Sequence, residues 1–129
     1  LFPDVPWHLH ELDRPGIESL ANFEQLYGYA EPIMAAFRPV LLGQFHYTPR
    51  ADALAFRDGD VFELGGGVRM RVIHTPGHTR GHCCFLVEPD DVLYLGDIDL
   101  SSFGPYYGDA WSDLEDFERS LALVRGLEA

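Results

Sequence analysis

Between residues 61 and 95 short apolar runs alternate with tight turns, and this stretch sets the expected architecture. Val68-Arg69-Met70-Arg71-Val72 switches between apolar and basic at every step. Successive side chains of a strand point to opposite faces, so this strand should bury one face and wet the other. Cys83 to Val87 and Val92 to Leu95 are apolar at both parities, which predicts interior strands joined through Glu88-Pro89-Asp90-Asp91. Val61 to Leu64 reads as a shorter strand between the turns Asp58-Gly59-Asp60 and Gly65-Gly66-Gly67.

Outside this stretch the pattern is mostly helical. Val5 to His10 is a short strand candidate, entered through Pro3 and Pro6. Asp13-Arg14-Pro15 then reads as a helix start with Asp13 as its cap. Leu20, Phe23 and Tyr27 share one helical face, and Gly28 stands where a stop is expected. A shorter helix is predicted over Ile33 to Phe37, ending before Pro39. The clearest helix follows Ser112, which forms a capping-box pattern with Glu115. Leu114, Phe117, Leu121 and Val124 give that helix one apolar stripe.

Composition narrows the function classes. The 129 residues, 47% of them hydrophobic, suffice for one domain with a real core. A net charge of −12 with no basic cluster argues against nucleic acid as a partner. No apolar run approaches the roughly 18 residues that suggest a membrane span. Cys83 and Cys84 are adjacent, and a disulfide between strand neighbours would be badly strained. A reducing, cytoplasmic setting is therefore expected. Leu1-Phe2-Pro3-Asp4 shows neither an initiator Met nor a signal-peptide pattern.

The candidate chemistry lies in His74-Thr75-Pro76-Gly77-His78-Thr79-Arg80-Gly81-His82. A helix would place His78 one turn beyond His74, but Pro76-Gly77 between them disfavours one. The segment should be a loop leaving a strand that ends near Ile73, with His78 on a rigid support fit for a metal ligand. Asp97 follows Val92-Leu93-Tyr94-Leu95-Gly96, so its carboxylate is expected where a buried strand emerges, costly unless paired or bound to a cation. One strand out and one strand back separate His78 from Asp97, which would bring both to one sheet edge. From spacing alone two readings stand: half of a metal site, or a hydrogen-bonded surface loop beside an ordinary turn.

At these residues the sequence resembles the metallo-β-lactamase fold superfamily. HTPGHTRGH is similar to its third metal motif, LGDIDL to the segment carrying a metal-bridging aspartate, and RDGDVFELGGGVRMRVIHTPGHT to the usual approach. The resemblance covers about residues 57 to 100. It implies an α/β fold, part of an αββα sandwich with a mixed sheet and flanking helices, binding metals at one edge of two sheets. It implies His78 as metal ligand and Asp97 as bridging ligand, the catalytic pair, with His74, Thr79 and His82 supporting them from behind. The implied cofactor is Zn2+, one or two ions, with Fe or Mn as alternatives. The implied activity is hydrolysis of an ester, thioester, amide or phosphodiester bond of a small molecule by a metal-bound hydroxide. A non-catalytic scaffold of the same fold and an iron-dependent redox or dioxygenase member are the other readings.

The sequence also departs from the family pattern. The nearest string to the first motif, HxHxDH, is His8-Leu9-His10-Glu11-Leu12-Asp13, with Asp13 one position late and Arg14 in place of the final His. The register of the preceding residues places His8 and His10 in the following strand instead. A last His after the final strand has no counterpart. Residues 1–129 thus read as a single partial domain, an internal piece of a longer protein, inactive alone and able to self-associate as a homo-oligomer. Phe103, Tyr106 and Tyr107 are candidates for a substrate wall, and Asp99 and Ser101 for the site edge. His46, beside aromatics, reads as a packed or surface group, and the two cysteines as inert core residues.

Overall fold

The structure is a computed structural model that describes residues 5–98 and 107–127. It is a mixed α/β arrangement with one parallel and one antiparallel sheet. Strand β1 (His8–His10) pairs in parallel with β2 (Leu54–Phe56). Strands β3 (Val61–Gly65), β4 (Val68–His74), β5 (Cys83–Glu88) and β6 (Val92–Tyr94) form an antiparallel sheet in that order. Between β1 and β2 lie helices α1 (Arg14–Ile17), α2 (Leu20–Tyr27) and α3 (Glu31–Pro39), and α4 (Leu114–Gly126) follows the sheet.

The cysteine pair shows how the layers stack. Cys83 packs with Phe56, Val72, Phe62 and Phe85, so that face of the sheet meets the β1–β2 pair. Cys84 packs with Ile98, Phe117, Leu121 and Val124, so the other face meets α4. Adjacent strand residues point to opposite sides, and here each fills a different core. Both thiols are free, buried and uncharged; burial pushes Cys83 up to about 12.

Several elements depart from expectation. The first helix is two, because Ser19 is extended and caps α2 by accepting from the Asn22 amide at 3.1 Å. Serine favours such caps over helix interiors, since its hydroxyl satisfies an orphan N–H. Gly28 ends α2 in the left-handed conformation, as its position predicts. Pro39 does not stop α3; the chain winds on as a π turn over Val40–Gln44, where the Phe45 amide donates to the Val40 carbonyl at 3.0 Å. The wider turn is compatible with a proline that has no N–H to donate. Among the described residues strand β6 is the sheet's edge, not interior, with Val92 and Tyr94 exposed. Asp13 and Ser112 do not cap helices with their side chains; both are used by the loop between β4 and β5.

Candidate metal centre

The loop after β4 is held from two sides. On one side stands α4, whose N-cap is Asp113, accepting from the Asp116 amide at 2.9 Å. Ser112 Oγ donates to the His78 carbonyl at 2.7 Å, the Asp113 amide to Gly77 at 2.9 Å, and Ser120 Oγ to Pro76 at 2.7 Å. Three successive carbonyls of the loop are thereby satisfied by α4 and the residues that lead into it, which answers the cost of burying them. The approach requires Gly77: at φ 135° a Cβ there would lie 2.4 Å from the Phe117 Cα.

On the other side stands Asp13. One carboxylate oxygen accepts from the Gly81 amide at 2.8 Å and the other from the Thr79 hydroxyl. His74 is the last residue of β4, paired with Cys83, and not part of the loop. Its ring stacks on His10 with centroids 4.3 Å apart, and its Nε2 meets the Arg80 carbonyl at 2.9 Å. His10 is buried against Phe56 and accepts from the Leu12 amide. Burial, and then the His74 ring, lower its pKa. His8 packs edge-on to Phe62. Of the two residues of the HxH string, His10 is thus buried in the packing while His8 stays exposed beside Phe62.

His78 Nε2 and Asp97 Oδ2 stand 3.7 Å apart. Two donors on one tetrahedral zinc lie roughly 3.4 Å apart, so the pair fits a shared cation with little adjustment. The Asp97 side chain is 74% exposed, where a buried carboxylate was expected. Gly96 and Asp97 lie beyond the end of β6 in a turn, which lets the carboxylate reach water. His82 joins the two candidates. Its ring lies edge-on to His78 at 5.9 Å, and its Nε2 accepts from the Asp97 amide at 2.9 Å. Its Nδ1 donates to the Thr75 carbonyl at 2.8 Å. Burial lowers the His82 pKa, the Thr75 carbonyl partly opposing it.

Among the described residues no group of three or more His, Cys, Asp or Glu side chains converges as a metal cage. Asp99, Ser101, Phe103 and Tyr106 lie outside the described residues. Tyr107 is half-exposed with its ring 6.0 Å from that of Phe117. A cavity of about 510 Å³ opens among Trp7, Ile17, Phe23, Tyr27, Phe45, Tyr47 and Arg50, and neither His78 nor Asp97 lines it. The straps formed by Asp13, Ser112 and Ser120 were not anticipated. Each is a polar residue at a helix start or inside a helix, where a cap or a surface group is the ordinary expectation.

Residues 1–126 match the family description of the metallo-beta-lactamase superfamily. The chain belongs to that superfamily. A solved metallo-β-lactamase family protein from Thermus thermophilus superimposes with a TM-score of 0.64 at 28% identity, covering 95% of this chain and 43% of that one. A structure described as di-iron-bound superimposes at 0.61 with 22% identity, covering 97% of this chain and 53% of the other, and supports the fold alone. An atrochrysone carboxyl ACP thioesterase from Aspergillus fumigatus is 31% identical over 83 residues, 64% of this chain and 25% of that protein. An uncharacterized Mycobacterium leprae protein is 37% identical over 93 residues, 71% of this chain and 38% of that protein. This chain therefore spans well under half of the curated relatives quoted, and under half of the Thermus structure.

Proposed function

We propose that the protein containing this chain is a metal-dependent hydrolase of a small-molecule substrate, with zinc as its metal and thioesters as the first substrates to test. The observation that carries this reading is the convergence of His78 Nε2 and Asp97 Oδ2 at 3.7 Å on a loop and a turn of one sheet end. Thioesterases among the relatives support the substrate class. Bound there, the metal supplies Lewis acidity and a water activated for attack on the acyl carbon. His78 would hold it through Nε2, with the loop main chain fixed by its straps, and Asp97 would hold it through its carboxylate. The remaining ligands would come from outside the described residues.

The test uses the full-length protein. His78→Ala and Asp97→Ala should each abolish zinc retention and thioester hydrolysis. Activity within a few-fold of the unmodified protein for either variant overturns the ligand assignment. The second reading is an iron centre, since imidazole suits iron as well as zinc. Stoichiometric iron without hydrolytic turnover would establish it in place of the hydrolase.

A further inference from the structure

We infer that His82 is a positioning residue: its ring, locked in one tautomer, fixes the main chain of Asp97 against the His78 loop. The inference rests on the assignment of His78 and Asp97 above. A carbonyl only accepts, so the 2.8 Å contact with Thr75 requires a proton on Nδ1. Nε2 then presents its lone pair, and the Asp97 amide fills it at 2.9 Å. The Thr75 hydroxyl oxygen also lies 3.0 Å from Nδ1 and turns its own proton toward Cys84 Sγ at 3.4 Å. Donation therefore runs one way, from the Asp97 amide through His82 and Thr75 to a core thiol.

Three further features fit this role. His82 and Thr75 are both buried, 7% and 1% exposed, so water cannot readily replace either contact. Gly96 makes the closure possible, since at φ 60° a Cβ there would stand 2.7 Å from His82 Nε2. The same ring also lies edge-on to that of His78, so one side chain adjoins both candidate ligands. With its Nε2 lone pair committed to an amide, His82 is excluded as a third metal ligand.

Two variants separate this role from mere packing. In His82→Gln a side-chain oxygen can reach the Nε2 position and still accept from Asp97. In His82→Asn the amide group can serve Thr75 but is too short for Asp97. Zinc affinity of the full-length protein, measured by competition with a chromogenic chelator, should fall about 10-fold or more in His82→Asn and stay within about 3-fold in His82→Gln. Exchange of the Asp97 amide should accelerate only in His82→Asn. Nitrogen-15 spectra of the unmodified protein should show His82 protonated at Nδ1. A proton on Nε2, or equal losses of affinity in the two variants, overturns the role of His82 alone. Failure of the unmodified protein to bind zinc overturns the metal reading and this role with it.

Discussion

His78 and Asp97 face each other, but the chain holds them differently. The loop around His78 is tied to α4 through the carbonyls of residues 76 to 78 and to Asp13 through Thr79 and Gly81. Asp97 sits in an exposed turn whose amide leans on one histidine. A net hydrogen bond contributes about 1 kcal/mol, more where one partner is charged. The loop's geometry is therefore part of the fold's stability, whereas the turn is tied by fewer hydrogen bonds, from the Asp97 amide to His82 and from the Ile98 amide to Leu95. The difference teaches that one candidate ligand is held by several long-range hydrogen bonds, and the other by one bond to His82 beside the buried Ile98.

The sharpest way to break this contrast is at Gly77. Gly77→Ala puts a Cβ into the α4 backbone at an unfavourable φ, and should cost about 3 kcal/mol or more in chemical denaturation of the full-length protein. A loss below about 1 kcal/mol would mean that α4 does not clamp the loop. Next comes Asp13→Ala, which strips the Thr79 and Gly81 contacts; about 2 kcal/mol is expected by the same measurement. An unchanged midpoint would show that this strap is idle.

A smaller effect should appear with pH. Burial holds His10 below its ordinary value of 6.5, so the unfolded chain binds more protons than the native one as the solution acidifies. The contribution of neutral His10 is present above about pH 6.5 and lost as pH falls through the lowered native value. His10→Phe, which can keep the stack on His74, should narrow the difference in melting temperature between pH 7.5 and pH 5.5. An undiminished difference would place the pH sensitivity elsewhere. The least effect is expected from Asp97→Ala, within about 0.5 kcal/mol of the metal-free parent because the carboxylate is exposed. A large loss there would erase the contrast between the two regions.

The hairpin strands were legible because alternation and glycine turns are local signals, and β3, β4 and β5 fall where the apolar runs predict. The split of the first helix was not, because one Ser–amide contact decides it. Candidate ligands could be named from motif spacing and family resemblance, and the structure brings His78 and Asp97 within 3.7 Å. The roles of Asp13 and Ser112 were hidden. Each looks like a helix cap in sequence, and whether its oxygen serves its own helix or a loop 66 or 34 residues away depends on packing.

By itself, then, the sequence determined the strand pattern, the opposed faces of Cys83 and Cys84, and the motif that marks the superfamily, since all three follow from local periodicity and residue type. Tertiary structure alone decided that His74 and His10 stack, that α4 clamps the His78 loop, that β6 is an edge among the described residues, and that His82 accepts from the Asp97 amide while its ring adjoins His78. Those outcomes depend on side chains far apart in the chain competing for the same few buried hydrogen bonds, and no local pattern records who wins.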